Sequence, residues 1–308
     1  MTPKRKYSPS GYMHIFHITR DSGVCYYSAA DCLVWFTMFC ILALKYEVVV
    51  LAVCIMLNHF HIEAKFSSKK KMAAMMQELD SWFTRSYNHQ YGRHGPLFDG
   101  RYGSAVKLKE QKIQDNFIYV CNNPVVKKAV RRAEDYRWSF LMYMSDNHPF
   151  SDKIVVRRSS RRLLSTLAEV RRCRRQQIPI GYGFFKGQYM NLSVTERRQV
   201  LDYIVSQYNV IDYDRVRRIW GGFEEMCAGL KVASGAEYDL RDDNSEENYR
   251  HHYQMIKMAR EMGIDLARGC PDEELGRLAR LFYHQLGATK QEIAKLLHCP
   301  FLELFGIL

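Results

Sequence analysis

Two histidines, His59 and His61, lie two residues apart in the apolar stretch CIMLNHFHIEAKF, residues 54–66. Residues i and i+2 of a β-strand project from the same face, so both imidazoles would point one way and Phe60 the other. Two imidazoles on one rigid face can chelate a divalent metal ion. The alternative is a pair of inert, hydrogen-bonded histidines on a half-exposed face, and a bare His-x-His motif does not decide between the two.

A second candidate pair lies in NFIYVCNNPVVKKAV, residues 116–130. Tyr119 and Asn123 are four residues apart, and an α-helix brings such residues to one face. There the tyrosine can supply a phenolate nucleophile, and the amide oxygen can complete a metal site. Alternatively, Tyr119 packs its ring in the core and Asn123 caps the helix before Pro124. Asn122 is a competing ligand, but the spacing of one helical turn from Tyr119 favours Asn123.

The elements that must position these residues follow from the hydrophobic periodicity. Strands and helices alternate without long crossovers for every pair, which favours an α+β sandwich over a doubly wound sheet. The predicted elements are a strand at 12–19, a helix at 28–44 that begins at Ser28 or Asp31, a strand of the interior type at 46–56, its hairpin partner at 59–66, a helix at 70–91, a strand at 104–108 and a helix at 111–122 that Pro124 stops.

Composition narrows the class of protein. The chain has 308 residues and a net charge of +12, which favours an anionic partner, most often nucleic acid. The 9 cysteines are scattered without a C-x-x-C pair, which indicates reduced thiols and not a disulfide framework or zinc finger. The longest apolar run, residues 32–44, is too short to span a bilayer and predicts a buried helix. No apolar segment follows the basic start directly, so we expect a cytoplasmic, nucleoid-associated protein without a membrane partner.

Changes in composition predict three regions: a catalytic domain at 1–144, an arginine-rich connector at 145–190 and an all-α C-terminal domain at 191–308. In the last region, a helix at 272–286 precedes a capping box formed by Thr289 and Glu292, as in the first helices of a helix-turn-helix. Only the hydrophobic FLELFGIL follows Pro300, with no basic or amide side chain to read bases, so packing is favoured over base readout.

Four segments together resemble a known family. LNHFHIEAKF (57–66), GPLFDGRYG (95–103), YVCNNP (119–124) and YRWSF (136–140) occur in the order seen in the REP-associated tyrosine transposases, single-tyrosine enzymes with a His-hydrophobic-His motif. The resemblance covers roughly residues 11–143, and several motifs at matching separations make it more specific than any one motif. In this sequence Leu57 replaces the proline that usually precedes Asn-His in the family.

The resemblance implies a ferredoxin-like or RRM-like antiparallel sheet with helices. It implies that His59, His61 and Asn123 bind Mg²⁺ or Mn²⁺, and that Tyr119 attacks a phosphodiester of single-stranded DNA near a hairpin, forming a 5′-phosphotyrosine. Arg101 matches a motif position and becomes a candidate contact to the DNA backbone. Further candidate phosphate contacts are the arginines of the connector, although such runs are usually solvated helix faces: Arg157, Arg158, Arg161, Arg162, Arg171 and Arg172.

Two other functions stay open from the sequence. One is a transposase-derived DNA-binding regulator without cleavage activity. The other is a metal-dependent hydrolase acting on RNA or small phosphodiesters, in which Tyr119 is merely structural. The sequence also leaves open whether the protein is a monomer or a homodimer.

Overall fold

Four strands form one antiparallel sheet with the spatial order β2-β3-β1-β4: β1 (Tyr12–Ile18), β2 (Val49–Ile55), β3 (His59–Lys65) and β4 (Gly103–Lys107). Helix α1 (Ala29–Lys45) connects β1 to β2, and α2 (Lys69–Tyr91) connects β3 to β4. This βαββαβ order with β1 and β3 at the centre is the ferredoxin-like topology. The predicted α+β class is confirmed.

The computed structural model describes residues 7–232, 246–264, 266, 272–288 and 290–297. After β4 the described chain is helical: α3 (Glu110–Val126), α4 (Arg161–Arg175), α5 (Tyr182–Lys186), α6 (Val194–Tyr208), α7 (Tyr213–Trp220), α8 (Phe223–Val232), α9 (Glu246–Glu261), α10 (Asp272–Leu286) and α11 (Lys290–Leu297), with short 3-10 turns between α3 and α4. In the described residues, no helix has the length and apolar character needed to cross a membrane. The cysteines among them are all free thiols.

Helix α1 begins as the sequence predicts, with Ser28 as its N-cap. The Ser28 backbone N–H donates to the Asp31 carboxylate (2.8 Å), and the Asp31 backbone N–H donates to Ser28 Oγ (3.2 Å). From Cys32 to Ala43 every residue is buried. A helix that is apolar on all sides must be covered on all sides. The sheet and α2 cover α1 from one side, and α5 and α6 pack against it from the other.

Strand β2 differs from the prediction in its position. The sequence predicts an interior strand, but β2 lies at the edge of the sheet. It is nevertheless buried on both faces, because α1 packs on one face and α3 on the other. Its outer edge is partly paired, since the Asp212 backbone N–H donates to the Val50 carbonyl (2.9 Å). A continuous apolar run therefore reports coverage of both faces and not a central place in the sheet.

Helix α3 also differs from the prediction, because it continues through Pro124 to Val126. Proline cannot donate the backbone hydrogen bond to the carbonyl four residues earlier, but this loss falls in the last turn of the helix. The Lys127 backbone N–H closes that turn on the Asn123 carbonyl (3.0 Å). Asn123 therefore lies inside the helix and is not its cap.

The described residues form two compact units, one up to residue 232 and one from residue 246 onward. In the arginine-rich segment, the inner face of α4 packs on α6, and α6 packs on α1. In the second unit α9, α10 and α11 share a core that includes Met255, Phe282 and Ile293. Helix α10 matches the predicted helix at 272–286. The predicted capping box and the FLELFGIL tail involve Thr289 and residues 301–308, which lie outside the described residues.

Asp202 of α6 holds the segment that follows α3, residues 137–151, against the rest of the first unit. This carboxylate is fully buried and pairs with Arg137 of the YRWSF segment. It also accepts hydrogen bonds from Tyr143 Oη (2.6 Å), the Phe150 backbone N–H (3.1 Å) and Ser151 Oγ (2.7 Å). Residues 137–151 are thus anchored to α6 by one buried carboxyl group, and all of its partners lie in the same unit.

We expect Asp202→Ala to lower the free energy of unfolding by about 3–5 kcal/mol, because it leaves the largely buried Arg137 guanidinium without a counter-charge. Urea-induced unfolding monitored by circular dichroism measures this change. The control is Asp214→Ala, which removes an exposed pair with Arg217 and should lower it by only about 0–1 kcal/mol. If Asp202→Ala proved no more destabilising than this control, residues 137–151 would not fold as part of the first unit.

Candidate active site

A layer of polar side chains lies between the sheet and helix α3. Successive residues of a strand alternate between faces, so the residues of β1 and β3 that face α3 are separated by two. The same face of α3 contributes residues spaced by three and four. The layer consists of His14 from β1, His59, His61 and Glu63 from β3, and Asn116, Tyr119 and Asn123 from α3; all are buried except Tyr119, which is half-buried. The opposite face of the sheet packs apolar residues against α1 and α2.

The four residues proposed from the sequence lie together in this layer. The rings of His59 and His61 have centroids 4.9 Å apart and are nearly perpendicular, at 86°. The Tyr119 ring lies edge-on to His61, with centroids 5.4 Å apart. The Asn123 amide lies within hydrogen-bonding distance of His61. A short hairpin and one helix face are sufficient to bring these groups into contact.

The structure also decides between the two neighbouring asparagines. Asn123 Nδ2 donates to His61 Nε2 (3.1 Å) in the polar layer. Asn122 points away from the sheet, and its Nδ2 donates to the carbonyl of Leu230 in α8 (2.7 Å). Adjacent residues of a helix differ in direction by about 100°, so only one of the two can face the sheet. Asn123 is the one that contacts the histidines.

His14 is a member of the layer that the sequence analysis did not single out. Its Nε2 lies 3.0 Å from Nδ1 of His61, and its ring centroid lies 5.5 Å from that of Tyr119. The antiparallel register pairs His14 directly with Glu63 across β1 and β3. Glu63 was recoverable from the sequence, because it continues the i, i+2 series of His59 and His61. His14 was not, because the contact depends on the register between two strands that are distant in sequence.

Burial controls the ionisation of the layer. The pKa of His61 is lowered well below its usual value by burial and, to a lesser extent, by the neighbouring His59. Burial, with the nearby positive charge of Lys107, lowers the pKa of His14 to about 3. Both imidazoles are therefore neutral at pH 7, and each keeps one unprotonated ring nitrogen. Burial also raises the pKa of the Glu63 carboxyl well above its usual value.

The donor atoms of the layer are compatible with a divalent cation. Among the described residues, no three His, Cys, Asp or Glu side chains are grouped so that they could hold a metal ion alone. A set of ligands built from this layer would take its third donor from the Asn123 amide, whose Oδ1 is buried and has no hydrogen-bonding partner. Two neutral imidazoles and one amide oxygen would leave coordination positions open for water or phosphate oxygens.

The arginines of the segment 145–190 do not belong to this layer. They lie on the 3-10 turn Val156–Arg158 and on α4, which packs on α6 on the other side of α1. The six candidates, Arg157, Arg158, Arg161, Arg162, Arg171 and Arg172, are all exposed.

Two arginines near the end of α4, Arg171 and Arg172, differ in their neighbouring side chains. Arg172 is paired with Glu169 (Nη2 to Oε1, 2.6 Å). Arg171 lines an open pocket of about 340 Å³ together with Ala168, Arg174, Arg175 and Gln207. Within the described part of the chain, no acidic side chain pairs with Arg171. It is therefore better suited than Arg172 to contact an external anion.

Arg101 is exposed on the loop that precedes β4. Two backbone hydrogen bonds attach this loop to the end of β1, from the Arg20 N–H to the Leu97 carbonyl (2.9 Å) and from the Asp99 N–H to the Ile18 carbonyl (3.0 Å). Ile18 is the register partner of His59. The loop of Arg101 thus lies at the end of the sheet where β1 finishes and β3 begins with His59.

Comparison with known proteins leaves the family of this chain open. No protein-family model matches it, and no curated protein matches its sequence. A solved structure of a REP-associated tyrosine transposase bound to a REP hairpin is similar to this chain with a TM-score of 0.39 and 13% identity, over 45% of this chain and 81% of that one. A likeness of this size does not show a shared family.

Proposed function

We propose that this protein cuts and rejoins single-stranded DNA near hairpins, with Tyr119 as the nucleophile and His59, His61 and Asn123 as ligands of Mg²⁺ or Mn²⁺. The observation that carries the proposal is the contact between α3 and β3. It brings a half-buried tyrosine within 5.4 Å, ring to ring, of a neutral histidine whose Nε2 is bonded to the Asn123 amide. The motif resemblance supports the same roles for the same residues.

The chain contributes a nucleophile and a site with little access to water. The phenolic oxygen of Tyr119 would attack the phosphorus of a phosphodiester, forming a tyrosine–phosphate bond and breaking the bond to the 3′ oxygen. The phenol gives up its proton, and the departing 3′ oxygen gains one, which leaves a free 3′-OH and a 5′-phosphotyrosine. The energy of the phosphodiester is conserved in this link, so attack by another 3′-OH would rejoin the strand.

A bound divalent cation would polarise the scissile phosphate and stabilise the negative charge that develops on the departing oxygen. His61 suits this role because burial keeps its imidazole in the neutral, lone-pair-bearing form, and His59 adds a second imidazole on the same face of β3. Imidazole is a softer ligand than Mg²⁺ prefers, so Mn²⁺ is expected to be an effective activator.

We expect wild-type protein, incubated with labelled hairpin DNA carrying single-stranded flanks, to form a metal-dependent covalent adduct with the fragment 3′ of the cut. Tyr119→Phe should form no adduct, because it lacks the attacking oxygen, while it still binds the DNA. Denaturing gels resolve the adduct. Tyr203→Phe, at a half-buried position of α6 outside the polar layer, serves as a control tyrosine and should react like the wild type.

The outcome also distinguishes the other two functions. DNA binding with no adduct in the wild type would indicate a DNA-binding regulator. Cleavage that survives in Tyr119→Phe would indicate a hydrolase that uses water as its nucleophile. Either result would contradict the proposed role of Tyr119.

The two neighbouring asparagines provide a matched pair for the metal site. Asn123→Ala should weaken Mn²⁺ binding by at least about tenfold, since even the partners of metal ligands typically contribute that much. Asn122→Ala loses its bond to the Leu230 carbonyl and should leave Mn²⁺ affinity unchanged. Electron paramagnetic resonance of free Mn²⁺ measures both affinities, and equal affinities for the two variants would remove Asn123 from the site.

Two adjacent arginines test the phosphate contacts. We expect Arg171→Gln to weaken hairpin binding and to reduce the slope of log affinity against log salt by about one, the value for one lost phosphate contact. Arg172→Gln makes the same change of charge but should have a smaller effect, because Glu169 already holds that guanidinium. Fluorescence anisotropy at several salt concentrations gives the slopes. Unchanged slopes for both would mean that this end of α4 is only a solvated face.

A further inference from the structure

A chain of hydrogen bonds crosses the polar layer from α3 to β1. Asn123 Nδ2 donates to His61 Nε2 (3.1 Å), and Nδ1 of His61 lies 3.0 Å from Nε2 of His14. An amide nitrogen can only donate, so Nε2 of His61 accepts and carries no proton. A neutral imidazole has one N–H, which must then be on Nδ1 of His61 and must donate to His14. His14 therefore accepts through Nε2 and carries its own proton on Nδ1.

This assignment has a consequence for metal binding. A histidine binds a metal through an unprotonated ring nitrogen, and the hydrogen bond made by the other nitrogen determines which one is unprotonated. In His61 the nitrogen next to Asn123 is Nε2, and His14 is the acceptor bonded to Nδ1. Without an acceptor at that point the Nδ1 proton would lose its partner, and the Asn123 amide, whose Oδ1 has no hydrogen-bonding partner, could turn to accept a proton from Nε2 instead.

We propose that His14 is a positioning residue that holds His61 in the Nδ1–H tautomer, so that the Nε2 lone pair faces the same side as the Asn123 amide. The inference rests on the proposed metal site. It adds a residue on a different strand, one to which neither the sequence motifs nor the family resemblance gives a role.

The surroundings of His14 support a role beyond packing. His14 is fully buried on a central strand, where an apolar side chain could fill the volume without the cost of burying a polar group. Its Nδ1 has no hydrogen-bonding partner. Glu63 is its direct register partner on β3, and the Glu63 carboxyl lies beside Asn116 of α3. Directly paired residues have Cβ atoms about 5 Å apart, so Glu63 is within reach of a side-chain rotation that would accept the Nδ1 proton. A carboxyl behind a histidine is a frequent support for a metal-ligating imidazole.

The experiment measures Mn²⁺ affinity in three variants of the full chain, by electron paramagnetic resonance of free Mn²⁺. His14→Leu keeps the volume and removes the acceptor, and it should weaken Mn²⁺ binding by about 10- to 100-fold. His14→Gln offers an amide oxygen near the position of Nε2 and should restore most of the affinity. His17→Gln is the matched control, because His17 lies on the same strand but bonds to Asp80 of α2 on the other face (3.0 Å). It should bind Mn²⁺ as the wild type does.

A second readout separates positioning from folding. In metal-free wild-type protein, ¹⁵N chemical shifts should show His61 with a protonated Nδ1 and an unprotonated Nε2, and His14→Leu should shift this toward a mixture of tautomers. An unprotonated Nδ1 in the wild type would overturn the inference. So would a folded His14→Leu variant that binds Mn²⁺ within about twofold of the wild type, since partners of metal ligands typically contribute far more. If His14→Leu does not fold, the wild-type spectrum and His14→Gln decide the question.

Failure of the proposed function gives a different pattern. If His14 is dispensable but the metal site is real, His61→Ala loses Mn²⁺ binding while His14→Leu keeps it. If the metal site itself is absent, wild-type protein and every variant bind Mn²⁺ equally weakly, and the inference falls together with the proposed function.

Discussion

The hydrogen bond between Asn123 of α3 and His61 of β3 joins the helix to the sheet at the centre of a buried polar layer. Helix–sheet interfaces are usually apolar, and a polar group buried in one must find a partner or destabilise the fold. Several features position the two groups: the register of β1 against β3, the rotation of α3 about its axis, and the contact of Asn122 with α8. Helix α3 can supply Asn123 only because it continues past the usual stopping point at Pro124.

Burial determines the protonation of the polar layer, and it also makes the layer costly for the stability of the fold. Histidines in water would be partly protonated near neutral pH, whereas the low dielectric of the layer keeps His14 and His61 neutral. Neutral imidazoles have lone pairs for a cation, and a cation introduced among them would meet few competing water molecules. The same burial raises the pKa of the Glu63 carboxyl. The layer therefore offers a cation lone pairs on neutral imidazole and amide groups and not a charged carboxylate.

The helices after β4 determine what lies on the other side of the molecule. Because α1 is apolar on all sides, it needs a second cover, which α5 and α6 provide. Helix α4 packs on that cover and carries its arginines on the outside. The basic surface and the polar layer are consequently built by different elements, α4 on one hand and β1, β3 and α3 on the other. In the proposed function a nucleic acid would meet them with different parts of its backbone, and the arginines would add affinity without taking part in the chemistry.

Local patterns in the sequence were sufficient for the class of fold, for the helix that begins at Ser28, and for the pairing of His59 with His61 and of Tyr119 with Asn123. These follow from the periods of strands and helices and from capping chemistry, which depend on neighbouring residues only. Tertiary structure decided the rest. Four features depend on which distant segments meet: the edge position of β2, the passage of α3 through Pro124, the packing of the arginine-rich segment, and the contact of His14 with His61. Neither a strand register nor a second packing layer produces a periodic pattern in the sequence.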